Sequence, residues 1–184
     1  MDEVQSFLRP DVEFVGAHPM AGREVSGVRN SDARIFQDAN FLITPTARNT
    51  KAAVDAVHEL AEILGFARIS VLTPKAHDEM VGFLSQLTHV IAMSLMNCND
   101  NPDLAAYTGD SFRDLTRIAR INDRMWSELF LLNREVLVRQ IDAFSAELAA
   151  VRQDLIDQDE ADLRERMRRS TARRALFDKE RRPT

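Results

Sequence analysis

Three short apolar runs stand out before residue 73: VEFVGA (residues 12–17), NFLIT (40–44) and ARISVL (67–72), each of strand length. Between the second and third, Val54, Val57, Ala61 and Leu64 recur at helical spacing. That spacing predicts a helix from about Lys51 to Leu64, capped by Asn49 or Thr50, with Gly65 at its C-terminal end. The alternation of strand and helix reads as a parallel-sheet unit. After residue 73 no strand pattern recurs. Thr73 and Pro74 form a helix start, and the apolar spacing carries one long helix to about Met96. The loop NCNDNPD follows, then a helix from near Ser111. Asn122 or Asp123 can cap a longer one containing Trp126, Leu129, Phe130, Val136, Leu137 and Ile141. A strongly charged helix is expected over about 159–182. The expected class is α+β, mostly α: about three strands in residues 1–73, then an all-helical region over 74–184. Three strands leave a sheet edge open, which implies further chain or pairing with another subunit.

Composition narrows this only slightly. The 184 residues carry a net charge of −5 and 45% apolar positions, a balance that does not suggest a nucleic-acid binder. A single cysteine, Cys98, permits no internal disulfide and fits a reducing compartment. No apolar run approaches the ~18–20 residues of a membrane span, and MDEVQSFLRP lacks the pattern of a secretory signal. A cytoplasmic protein without membrane contact is expected. Residues 164–182 hold nine Arg or Lys against three acids; the acids just upstream can neutralise them, so a solvated helix is the expected reading.

Three stretches carry candidate chemistry. In GAHPMAGREVSG, Gly16 to Gly27, a histidine sits at a strand end, where α/β sheets bind ligands, with proline fixing the backbone after it. An imidazole there can accept a proton near neutral pH, although a plain turn histidine fits the same pattern. In HDEMVGFLSQLTH, a regular helix would place His77, Val81, Ser85 and His89 within a sector of about 120°. The alternative is a buried helix whose polar groups find backbone partners. No metal site is expected: the histidines are too far apart, and HELAE at His58 lacks the second histidine of a zinc motif. In SFRDLTRIARINDRMW, Arg113, Arg117, Arg120 and Arg124 recur every three or four residues, suited to carboxylates or to surface ion pairs.

Together these stretches resemble the prephenate dehydrogenase family, which includes arogenate dehydrogenases. The resemblance rests on GAHPMAG with SGV after it, FLITPT, TP-x-x-HD followed by S-x-L-x-H, FRD-x-TRIA, D-x-x-MW and NRE, over about residues 12–140. It implies a Rossmann-type sheet remnant in residues 1–73 and a helical substrate-binding and dimerisation domain in 74–184. The implied activity is NAD- or NADP-dependent oxidative decarboxylation of prephenate to 4-hydroxyphenylpyruvate, in tyrosine biosynthesis, or the equivalent reaction of arogenate. By the same resemblance His18 would accept the proton of the ring 4-hydroxyl, and Arg117 would pair with the ring carboxylate. His77, Ser85 and His89 would line the pocket, with Glu24 as a polar neighbour of the substrate. Pro19 and Gly22 are candidate neighbours of the cofactor, and the expected partner is a second copy of the chain.

The chain also departs from the family. Its glycines, at 16, 22, 27, 65, 82 and 109, nowhere form the G-x-G-x-x-G fingerprint that cradles a pyrophosphate. The family's S-x-L-P-H reads Ser85-Gln86-Leu87-Thr88-His89, without the helix-kinking proline. The chain is therefore expected to supply the substrate-binding and dimerisation portion and to be inactive alone. A noncatalytic dimerisation or ligand-binding module is the alternative.

Overall fold

The computed structural model describes residues 1–23 and 27–178. They fall into two compact units, residues 1–137 and 138 onward.

The first unit begins with a short helix α1, Asp2–Phe7, that the apolar pattern does not announce. Gln5 fastens it to the segment before the first strand: its side chain donates to the Val12 carbonyl and accepts from the Phe14 amide, at 3.0 and 2.7 Å. The three strands are β1 (Gly16–Met20), β2 (Asn40–Thr44) and β3 (Arg68–Val71), in the order β1-β2-β3. β2 and β3 run parallel, joined through helix α2, Lys51–Ile63. β1 runs antiparallel to β2, with Gly16 opposite Thr44 and Met20 opposite Asn40. The uniformly parallel unit expected from the alternation is thus corrected. Among the described residues the connection from β1 to β2 holds the 3-10 turns Val28–Asn30 and Ala33–Phe36 and no crossover helix, and such a return brings the chain back antiparallel.

The core of this half lies between β2 and α2. Phe41, Ile43, Ala61 and Phe66 are buried together, with Phe36, Val54, Val57 and Leu64 packed around them. The Phe41 and Phe66 rings sit 4.7 Å apart. Thr50 caps α2 by accepting from the Ala53 amide, and Gly65, at φ 84°, turns the chain out of it in a conformation that favours glycine.

The helical half opens at Thr73, whose hydroxyl accepts from the Ala76 amide to start α3, Pro74–Val81. The single helix expected to Met96 is instead composite. A π-helical stretch, Gly82–Leu87, separates α3 from α4, Thr88–Asn97. A π turn takes in one residue more than an α turn, so positions on either side of it slip by about 100°. The angle of about 120° that uniform periodicity puts between His77 and His89 is therefore not kept. The irregularity exists here without the proline of the family motif. By length and composition Pro74–Asn97 reaches the threshold of a membrane span, with mean hydropathy 1.2, which the run-by-run reading of the sequence understated. Its polar groups nevertheless pair with protein groups, Gln86 and His89 among them.

Beyond the loop come α5 (Leu104–Tyr107), α6 (Asp110–Thr116), a 3-10 turn Arg117–Ala119 packed on α4, and α7 (Asp123–Leu132). Asn122 caps α7, accepting from the Met125 amide. The helix expected to continue through Ile141 breaks at Asn133 and resumes as α8, Arg134–Asp157. The Asn133 carboxamide donates to the Asp78 carbonyl at 3.0 Å and to Gln86 Oε1 at 2.9 Å, while Gln86 Nε2 donates to the Leu129 carbonyl at 3.2 Å. The break is thereby stitched to α3 and the π segment.

In the second unit α9 spans Glu160–Ala175, capped by Asp159. Arg166 bonds Asp154 at 2.6 Å and Glu147 at 3.0 Å, and Arg169 bonds Glu147 at 2.7 Å. Its basic character is in good part answered within the unit. Residues 179–182 of the expected charged helix lie outside the described residues.

Gly82 has no room for a side chain: an added Cβ would stand 2.6 Å from Val136 Cγ1. Gly82→Ala is expected to destabilise the protein by about 1–3 kcal/mol through overpacking. Urea denaturation should show a lower midpoint at unchanged slope.

Candidate active site

The sheet and α3 meet in an open cleft of about 520 Å³. Its walls include Gly16 and His18 of β1, Thr44 and Thr46 at the end of β2, and His77 and Asp78 of α3. His18 reaches this place because β1 alternates its side chains across the sheet and Pro19 continues it in extended form, opposite Phe41. The loop below is held by side chains. Asn49 Oδ1 accepts from the Thr46 amide at 2.8 Å and Asn49 Nδ2 donates to the Phe14 carbonyl at 3.0 Å. Glu13 accepts from the Thr50 amide and hydroxyl at 2.7 and 2.8 Å. These bonds hold the Glu13 carboxyl below its usual range, the Thr50 amide foremost.

His18 Nδ1 lies 2.9 Å from His77 Nε2, the rings tilted by 55°. His77 Nδ1 in turn lies 2.9 Å from Asp78 Oδ1. Partial burial, and secondarily the neighbouring His77, lower the His18 pKa from its ordinary 6.5. The ring is therefore biased toward its neutral form, with a lone pair available.

A second cluster joins the π segment to α4. The Ser85 carbonyl accepts from Thr88 Oγ1 at 2.7 Å and from His89 Nδ1 at 2.8 Å. The His89 ring stacks on Trp126 of α7, centroids 3.6 Å apart. Arg117 is exposed in the 3-10 turn on α4 and is not among the residues lining the His18 cleft. Gly22 follows β1 with open space around its Cα, and Glu24 lies outside the described residues. The structure thus joins His18 with His77, and joins Ser85 with His89 through the serine's backbone. Sequence reasoning missed Asp78, Glu13, Asn49, Asn133 and Trp126 as organisers of these clusters. Asp78, Trp126 and Asn133 left traces in the HD, D-x-x-MW and NRE motifs and Asn49 as a cap candidate, whereas Glu13 left none.

Comparison with known proteins gives this geometry a family. Residues 73–169 match the model of the prephenate dehydrogenase dimerization domain, and residues 1–71 that of the prephenate dehydrogenase nucleotide-binding domain. The chain belongs to the prephenate dehydrogenase family. It is 31% identical over 149 residues to a prephenate dehydrogenase of Lactococcus lactis, covering 78% of this chain and 40% of that protein. It is 32% identical over 156 residues to a cyclohexadienyl dehydrogenase of Zymomonas mobilis, covering 82% of this chain and 53% of the relative. The chain thus spans about half the length of the curated relatives it matches. Among solved structures it is similar to the prephenate dehydrogenase of Aquifex aeolicus in complex with hydroxyphenyl propionate and NAD+. That likeness has a TM-score of 0.81 at 31% identity, over 90% of this chain and 59% of the other.

The family is one of oxidoreductases with a nucleotide-binding domain, so the residues here can be tested against a dinucleotide. They do not fit its pyrophosphate. The β–turn–α crossover among the described residues leads into α2, and the Thr50 amide at that helix start is already bonded to the anionic Glu13. No glycine lies between β2 and α2, where a phosphate would need close backbone approach. Among the described residues no group of three or more His, Cys, Asp and Glu is placed to hold a metal.

The lowered His18 pKa carries a signed consequence. The folded state holds fewer protons than the unfolded one between the two values, so stability rises with pH there. The contribution is complete above about 6.5 and is lost as the pH falls through the depressed value. Denaturation midpoints measured from pH 7.5 down to 5 should decline, and His18→Gln should flatten part of that decline.

Proposed function

We propose that the chain supplies the proton acceptor and the substrate-binding half of a dehydrogenase acting on prephenate. The single observation that carries the reading is His18: half-buried, held neutral, and bonded to His77 in a cleft at the sheet edge. In this reading His18 takes the proton of the ring hydroxyl while that ring carbon is oxidised, and loss of carbon dioxide leaves the aromatic product. Positioned proton transfer of this kind contributes about 10²- to 10⁴-fold to rate. Arg117 pairs with the ring carboxylate, its planar fork matching that group. His77 lines the cleft, and Ser85, His89 and Glu24 are assigned to the substrate pocket through the family motifs.

In this family reading a nicotinamide dinucleotide, NAD or NADP, would supply the hydride acceptor, and residues beyond these 184 would hold its pyrophosphate. Pro19 and Gly22 are then its neighbours on the His18 side. A second copy of the chain is the proposed partner, supported by the dimerization-domain match and by apolar side chains left to solvent on α7, Leu131 at 70% and Leu132 at 85%. The compartment proposed is the cytoplasm.

Two measurements test the reading. In a full-length enzyme joining this chain to a nucleotide-binding half, His18→Asn should cut kcat with prephenate by about 10²- to 10⁴-fold while dinucleotide binding is unchanged. Retained turnover would remove His18 from the chemistry. Titration calorimetry of the same enzyme with prephenate should show affinity falling about 10- to 100-fold in Arg117→Ala, as for a lost charged hydrogen bond. Parallel titration with arogenate separates the two substrates, and a noncatalytic module would show neither effect.

A further inference from the structure

Asp78 is given no role by the family motifs, yet it closes a chain of three side chains that ends on His18. A carboxylate only accepts hydrogen bonds, so the 2.9 Å contact between Asp78 Oδ1 and His77 Nδ1 requires a proton on that nitrogen. A neutral His77 then presents a bare Nε2, which can only accept. Its 2.9 Å partner, His18 Nδ1, must therefore be the donor. That leaves the lone pair of His18 on Nε2. With the opposite arrangement, a His77 protonated at Nε2 would donate to His18 Nδ1 and force the His18 proton onto Nε2, blocking the nitrogen that takes up a proton.

We infer that Asp78 is a positioning residue that acts through His77 to fix His18 in its Nδ1–H tautomer, keeping Nε2 as the proton-accepting nitrogen. The inference rests on the reading of His18 as the base, and it adds how that base is kept in working form. Several features support a built arrangement. The His77 side chain is 22% exposed and so has limited access to competing water, while the Asp78 side chain remains 57% exposed. The Asp78 peptide is itself anchored, its carbonyl accepting from Asn133 Nδ2 at 3.0 Å. When His18 gains its proton, its Nδ1–H bond to the neutral His77 becomes charge-assisted and strengthens as the charge develops.

The test is tautomer-resolved nitrogen NMR on the 184-residue chain with ¹⁵N-labelled histidine, at a pH above 7. His18 and His77 should each show a protonated Nδ1 and a bare Nε2. In Asp78→Ala, His77 should gain Nε2–H character, and the bare-Nε2 signal of His18 should diminish with it. The substitution keeps the main-chain carbonyl that Asn133 uses and removes an exposed side chain. His89, whose Nδ1 donates to the Ser85 carbonyl, serves as the internal control and should not move. A His18 protonated at Nε2 in the unsubstituted chain, or an unchanged His18 signal in Asp78→Ala, overturns the inference. Either result is independent of whether His18→Asn abolishes turnover, which tests the base reading alone.

Discussion

The hydrogen bond between His18 and His77 is the constraint on which the functional reading depends. It joins residues 59 apart in sequence, one on a strand and one on a helix. Each needs its own element formed before the contact can exist. β1 is held by its antiparallel ladder with β2, and α3 by the Thr73 cap. The cleft is therefore a product of both regions, and neither alone would hold an imidazole neutral at a sheet edge.

The elements around it share a device. Polar side chains, rather than apolar contacts, fix the irregular segments. Glu13 and Asn49 hold the turn after β2; Asn133 and Gln86 hold the break between α7 and α8 against the π segment. Such groups cost desolvation unless fully paired, and here the Asn133 amide has both of its hydrogens in use. The apolar core, by contrast, is small and concentrated on β2, where Ile43 is wholly enclosed.

What could be read in advance follows from this division. Local signals were legible: the caps at Thr50, Thr73 and Asn122, the terminating glycine at 65, and a histidine placed where a strand ends. The direction of β1 was not, because period-two alternation says nothing about which way a strand runs. The π segment was hidden because its apolar spacing resembles an ordinary helix. Glu13 was hidden because its partner is set by three-dimensional proximity: it meets Thr50 across 37 residues. Family likeness named Arg117, yet the residues lining the cleft around His18 do not include it, so its assignment stands on motif rather than on geometry.

The capture of the Thr50 amide by Glu13 has a wider electrostatic meaning. The field that a helix start offers to acids is quenched inside the protein, and the chain carries a net −5. An acidic small molecule approaching this surface meets no broad attraction. Under the proposed function, recognition of an acidic substrate then falls to discrete cationic points, and it is vulnerable to the loss of one guanidinium.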